Sequence, residues 1–127
     1  MLITDEMKLK KYSEDMRIWQ GMPSIEVTKE HRTFVTFCTN GTAEQLDNFV
    51  LLTCSQDGEH FKTIAAAKAD NHRCFDPCLW IDPLGRLWFI WSYAPDHAVY
   101  GVICDNPDAD EIVFGEEFFI GHNIMMN

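Results

Sequence analysis

Basic residues are scarce in this sequence of 127 amino acids. It has 10 Lys and Arg residues against 20 Asp and Glu residues, which gives a formal net charge of −10. A negative surface repels phosphate backbones and anionic bilayers, so we expect no nucleic-acid partner and no membrane partner. No apolar run reaches the roughly 18 residues of a membrane span. Residues 1–16 lack the apolar core of a signal peptide, which predicts a cytoplasmic protein.

The cysteines form no disulfide or metal pattern. There are 5, an odd number, and most lie within strand-like apolar runs, so we expect reduced, buried thiols. Cys74 and Cys78, with His72 nearby, could supply half a zinc site. Their spacing is CxxxC, however, and no second cysteine pair completes a tetrahedral set. We therefore expect no metal and no cofactor.

The most strongly patterned stretch is residues 73–91, RCFDPCLWIDPLGRLWFIW. Two apolar runs, rich in aromatic and β-branched residues, flank the sequence Asp82-Pro83-Leu84-Gly85. Proline and glycine at these positions are typical of a chain reversal. The stretch predicts a β-hairpin, and its nearly continuous apolar arms indicate cover on both faces, as in stacked sheets.

The same pattern occurs once before. A shift of 54 residues takes Pro23 to Pro77, Ile25 to Leu79 and Arg32 to Arg86. After each hairpin come a variable loop, a third apolar run and an Asp-rich turn. These third runs are Phe49 to Thr53 and Val99 to Cys104. Strand-rich units of roughly 40–50 residues are typical of propeller blades.

The fold class predicted is therefore all-β. We expect about two four-stranded antiparallel blades of a β-propeller. The predicted units are a polar N-terminal arm or helix (1–16), blade one (17–68), blade two (73–121) and the start of a third blade (122–127). Two blades cannot close a ring and leave apolar faces open. The chain is thus either part of a longer product or a homo-oligomer, as a dimer or as a trimer closing a six-bladed ring.

One turn carries a family resemblance. Residues 55–61, SQDGEHF, resemble the Asp-box of bacterial-neuraminidase-repeat proteins, shortened by one residue. Here we expect Ser55 and Asp57 to build the turn, Gly58 to adopt a positive φ, and Phe61 to plug the sheet edge. Other similarities to sialidase-like propellers lie in four further segments: Arg73 to Pro77, Asp82 to Trp88, Ile18 to Glu26 and Ile124 to Asn127.

The resemblance implies a six-bladed propeller whose sugar site lies at the inner-strand end. True sialidases hold the sugar carboxylate with three arginines and use an Asp acid and a Tyr–Glu nucleophile. By resemblance, Asp76 lines the pocket, and Glu44 and Asp47 lie in the loop that carries the family's acid. The position of the first family arginine is occupied by Gly21. The chain is thus either a glycoside hydrolase homologue with an incomplete catalytic set or a non-catalytic module that binds carbohydrate or self-assembles.

Six further residues are candidates for substrate contacts through charge, amide groups or an aromatic face. They are Arg17, Trp19, Gln20, Asn48, Arg73 and Trp91. Each has a structural alternative. Trp91 also fits a core position between blades, because aromatic residues dominate cores. Arg73 and Asp76 also fit a local ion pair, and the loop acids also fit an ordinary solvated surface.

Overall fold

A computed structural model describes residues 1–14 and 19–122. The chain is all-β with one short helix. In chain order, the elements are β1 (Leu2–Ile3), α1 (Glu6–Glu14), β2 (Gln20–Val27), β3 (Thr33–Thr39), β4 (Phe49–Ser55), β5 (Lys62–Ala67), β6 (Arg73–Ile81), β7 (Leu87–Ala94), β8 (Ala98–Cys104) and β9 (Phe118–His122).

The strands form two antiparallel sheets. Sheet A has the order β1-β5-β4-β3-β2, and sheet B has the order β6-β7-β8-β9. From β2 to β5, and again from β6 to β9, each strand pairs with the next in the chain, so both sheets contain a four-stranded meander. The all-β class is confirmed, as are the two predicted hairpins. Strand β1, which adds a fifth strand to sheet A, was not predicted.

The internal repeat extends to single hydrogen bonds. In the first hairpin, Thr28 N donates to Arg32 O at 2.8 Å, and His31, at φ 68°, donates to Thr28 O at 2.9 Å. The second hairpin repeats this geometry. Asp82 N donates to Arg86 O at 3.0 Å, and the residue at φ 80° is a glycine, Gly85, which donates to Asp82 O at 2.9 Å. The two hairpins therefore share one turn design despite different sequences.

The main core lies between the two sheets. Strand β6, the first strand of sheet B, packs against β2, β3 and β4 of sheet A. Alternate residues of β7 point into this core and are buried: Leu87, Phe89, Trp91 and Tyr93. Their partners across the interface include Phe34, Val50 and Leu52 of sheet A. Period-2 burial of large side chains on facing sheets is what holds such a sandwich together.

Helix α1 covers part of the other face of sheet A. Asp5 caps its N-terminus, with one carboxylate oxygen accepting from Met7 N at 2.9 Å and Lys8 N at 3.3 Å. Leu9 is buried in a small second core, and the Tyr12 ring packs edge-on against Phe49 with centroids 5.3 Å apart. The predicted N-terminal arm or helix is thus a helix that shields the β4–β5 half of this face.

All five cysteines are free thiols. Cys38, Cys74 and Cys104 are buried, whereas Cys78 is exposed. Burial raises the pKa of Cys38 to about 11 and that of Cys74 to about 12. The expectation of buried thiols is therefore confirmed for these three; Cys54 is half-buried, and Cys78 departs from the expectation.

Candidate functional site

Most of the candidate ligand contacts lie at one end of the sheets, where β2 and β6 begin and the 40–48 loop joins β3 to β4. Trp19 fixes the loop, because its N–H donates to Gly41 O at 3.0 Å and its carbonyl accepts from the Thr39 hydroxyl at 2.8 Å. Gly41 has φ 71°, and a Cβ there would lie 2.5 Å from the Gln45 side-chain nitrogen. The positive φ favours a glycine here, and a larger residue would also displace the end of the Gln45 side chain. We name this region the loop end.

The side chain of Asn48 fixes the conformation of the loop end through hydrogen bonds. Its side chain is fully buried. The amide nitrogen donates to Asn40 O at 2.8 Å and to Ala43 O at 3.2 Å. The amide oxygen accepts from Gln45 N at 2.8 Å and from Arg73 Nε at 3.0 Å. Because these four bonds use the whole side chain, Asn48 positions the loop and Arg73 and has no free group for a ligand.

Arg73 is a cation of the loop end whose side chain is fixed by neighbouring groups. Besides its Nε bond to Asn48, its guanidinium lies 4.6 Å from the centroid of the Phe75 ring, and Nη2 lies 3.7 Å from a Glu44 carboxylate oxygen. The side chain is only 18% exposed. A side-chain hydrogen bond from Arg73 also lowers the pKa of the Cys38 thiol. Among the described residues, Arg73 therefore forms an ion pair with Glu44 and not the expected one with Asp76.

Two of the acidic candidates, Glu44 and Asp76, influence the thiol of Cys38. Burial raises the Cys38 pKa, the positive charge of Arg73 lowers it, and the negative charges of Glu44 and Asp76 raise it further. The Cys38 thiol donates to Cys74 O at 3.1 Å. The structure thus brings Glu44, a predicted catalytic acid, to 3.7 Å from Arg73, the predicted binding arginine, although the two are far apart in sequence.

Asp47, the third acid, is tied to the loop itself. Its carboxylate accepts from Gln45 Nε2 at 2.8 Å and from Asn40 Nδ2 at 3.3 Å. It also borders a groove of about 630 Å³ that runs past Lys68 and His72. Asp47 therefore lies at the rim of the loop end.

Asp76 has an unusual backbone. It adopts φ 46° immediately before Pro77, at a bulge where the β6–β7 register shifts between Phe75 and Cys78. The equivalent residue of sheet A, Met22, has φ 53° and also precedes a proline at a bulge. Positive φ is costly for a residue with a side chain and is found at functional sites, and a bulge redirects the side chain it carries. Both copies of the repeat therefore have a residue with positive φ at this position, and in sheet B that residue is Asp76, whose carboxylate is exposed.

The predicted Asp-box lies at the opposite end of β4. One oxygen of Asp57 accepts from Glu59 N and His60 N, both at 2.8 Å, and the Ser55 hydroxyl accepts from Gly58 N at 2.9 Å. Bonds from His60 and Glu59 hold the Asp57 pKa below its usual range. Gly58 has φ 78°, so the predicted turn geometry is confirmed. Phe61, the residue before β5, is 44% exposed and so does not plug the sheet edge as predicted.

The remaining candidates have separate positions. Trp91 is 0% exposed and stacks with Phe89 and Tyr93 in the core, so it is the core aromatic of the structural alternative and cannot reach a ligand. Gln20 is exposed at the start of β2, where it pairs with Thr39. Arg17 lies outside the described residues.

Sequence reasoning missed two groups that shape the loop end. Phe75 supplies the ring beneath Arg73, and its position two residues along the same strand was a usable signal, since such residues share a face. Asn40 forms an Asn-Gly turn with φ 100° and ties down both Asp47 and Asn48. That dipeptide is a recognised turn signal in sequence.

The other arginines of the described chain lie at the opposite end. Arg32 donates to Pro107 O at 2.9 Å and Ala109 O at 2.6 Å, and Arg86 donates to Asp82 at 2.7 Å. Among the arginines that the structure describes, Arg73 is thus the one at the loop end, where true sialidases have three. No group of three or more His, Cys, Asp or Glu side chains in residues 1–14 and 19–122 is placed to hold a metal ion. No helix in those residues is long and apolar enough to span a bilayer.

Comparison of the chain with protein-family models, curated protein sequences and solved structures gave no match. Functional assignment therefore depends on the loop end itself.

Proposed function

We propose that this protein is a sialidase-like propeller module that binds an acidic sugar at the loop end and does not hydrolyse it. The observation that carries this proposal is the preorganised guanidinium of Arg73. Asn48 and Phe75 hold it at two points, and Asn48 accepts only one of the five N–H donors that a guanidinium carries. A planar guanidinium grips a carboxylate through two parallel N–H bonds, and a cation fixed in advance loses little entropy on binding.

The surrounding groups suit a sugar. Half-buried Trp19 adjoins the loop and supplies an apolar surface of the kind that packs against a sugar ring. Glu44 and Asp76 are exposed carboxylates that can accept hydroxyl hydrogen bonds. The overall charge of −10 does not oppose an acidic ligand, because capture depends on the local cation.

Binding without turnover is favoured because Arg73 is the one described arginine at the loop end. Retaining glycosidases need an acid and a nucleophile on the two sides of one bond, with the substrate held firmly between them. Among the described residues the loop end has one arginine, and a single guanidinium fixes one carboxylate at one point only. Hydrolysis remains the second candidate, and the strained backbone of Asp76 favours it, because strain of this kind is common at catalytic residues.

Calorimetry with N-acetylneuraminic acid and with its methyl ester tests the proposal. The acid should bind and the uncharged ester should bind at least ~10-fold more weakly, since a charge-assisted bond contributes about 1.5–3 kcal/mol. Arg73→Ala should lose the preference for the acid, and Arg73→Lys, which keeps the charge without the fork, should keep part of it. Lys29→Ala, an exposed cation at the opposite turn, is the matched control.

Equal affinity for acid and ester, or an unchanged preference in Arg73→Ala, refutes the binding proposal. Release of product from a fluorogenic sialoside, abolished by Asp76→Ala and retained in Asp57→Ala, supports hydrolysis instead.

A further inference from the structure

We propose that the open face of sheet B binds the open face of sheet A in a second copy of this chain, in a head-to-tail arrangement. Assembly of this kind is independent of sugar binding. It continues the interface that already joins the two sheets within one chain, and the internal repeat identifies which surfaces are equivalent.

The interface within the chain has a defined design. The inner face of β6 lies on β2, β3 and β4, where Pro77 and Leu79 are buried. Leu79 N donates to the Ser24 hydroxyl at 3.0 Å across the two sheets. Near the opposite end, Arg32 donates to two carbonyls of the loop that follows β8. Apolar burial at the inner strands, fixed by a few hydrogen bonds, thus holds sheet B on sheet A.

Sheet A carries a surface equivalent to the docking surface of β6, and within residues 1–14 and 19–122 this surface is exposed. The shift of 54 residues takes Pro23 to Pro77 and Ile25 to Leu79. Pro23 is exposed, and Ile25 is 62% exposed, whereas their equivalents in sheet B are buried. The same chemistry is therefore covered in sheet B and open in sheet A.

Sheet B in turn repeats the receiving surface. On sheet A this surface includes Ser24, Phe34 and Thr36, and the same shift takes these residues to Cys78, Trp88 and Ile90. The equivalent face of sheet B is apolar and aromatic, with Trp80 48% exposed and its ring 5.7 Å from that of Trp88. Ile120 continues this face, since it lies beside Gly101 at the centre of the sheet.

Helix α1 limits where the second copy can sit. It packs on β5 and, with Phe49, Leu51 and Ala66, forms a small core that contains no described residue of β2. The contact between the two sheets within one chain is likewise made by β6, the first strand of sheet B. Docking of β2 from one copy on β6, β7 and β8 of another therefore needs no movement of the helix. Because the two surfaces differ, each copy keeps one free surface of each kind until the assembly closes as a ring.

Two single substitutions test the head-to-tail arrangement. Ile25→Glu places a charge on the sheet A surface, and Trp80→Glu places one on the sheet B surface. Measured by light scattering after gel filtration, the unmodified chain should have a mass several times that of one chain. Each variant should be monomeric, because burying an unpaired carboxylate should weaken association at least ~10-fold. Leu84→Glu, 78% exposed at the hairpin turn, is the matched control and should assemble as the unmodified chain does.

Mixing the two monomeric variants gives the decisive result. The Trp80→Glu variant keeps an intact sheet A surface and the Ile25→Glu variant an intact sheet B surface, so an equimolar mixture should form a one-to-one dimer. Circular dichroism of each variant checks that the sheets remain folded. A monomeric unmodified chain at all concentrations overturns the proposal. So does a symmetric dimer that only one of the two variants disrupts, or a mixture that stays monomeric.

Discussion

Asn48→Ala is the most informative single substitution, because one buried side chain both shapes the 40–48 loop and holds Arg73. The change removes four hydrogen bonds, each contributing about 0.5–1.5 kcal/mol net. The simple total is about 2–6 kcal/mol, and water entering from the nearby surface satisfies part of the lost bonding. We expect the free energy of unfolding to fall by about 3 kcal/mol, near the upper end for one substitution.

Urea denaturation followed by tryptophan fluorescence measures this loss, with an unchanged slope showing that the folded and unfolded states remain comparable. Gln56→Ala, an exposed amide in the Asp-box turn, serves as the control and should change stability by less than about 0.5 kcal/mol. Asn48→Ala should also weaken acid-sugar binding, since Arg73 loses its Nε anchor. A loss of stability below about 1 kcal/mol refutes the assignment of Asn48 as the organising residue of the loop end.

Three further outcomes are expected. Trp91→Ala should cost about 3–5 kcal/mol by leaving a cavity between the sheets, whereas Trp80→Ala should cost about 1 kcal/mol; urea denaturation below the assembly concentration compares them. Burial raises the pKa of Asp82, but bonds from the Trp88 indole and from Arg86 lower it more, so that its pKa is about 2. A pKa lowered by folding stabilises the protein above the unfolded pKa near 3.8, and this contribution should disappear as the pH falls toward 2. Thermal unfolding from pH 6 to pH 2 should show a shallower fall for Asp82→Asn, and identical slopes contradict the assignment. Finally, His31→Gly should stabilise the chain by up to ~1 kcal/mol and Gly85→Ala should destabilise it by a similar amount, because both positions have positive φ; opposite signs in thermal melts count against a shared turn design.

Much of the fold follows from the sequence because local signals and the repeat agree. The Pro-Leu-Gly turn at residues 83–85 and its apolar flanks define the second hairpin, and the shift of 54 residues transfers that hairpin to Thr28–Arg32. Strand β1 was missed because Leu2–Ile3 is too short to show a period. Its pairing with β5 depends on where the chain returns in space.

The loop end was only partly predictable. Arg73, Glu44 and Asp76 were candidates on residue type and resemblance, but the 3.7 Å approach of Glu44 to Arg73 needs β3 and β6 to lie against each other. Trp91 was a ligand candidate because the sequence does not show which face of the sheet an aromatic side chain in a strand occupies. The register of β7 then places it inward, opposite Tyr100. Burial depends on that register rather than on residue type.

The sequence by itself determined the strands, the two hairpin turns and their repetition, because these depend on φ preferences, side-chain alternation and chain reversal over a few residues. Only the tertiary structure decided which face of each sheet is covered and which side chains share the loop end. The reason is physical: alternation assigns side chains to two faces, but only the stacking of sheet B on sheet A distinguishes the buried face from the open one.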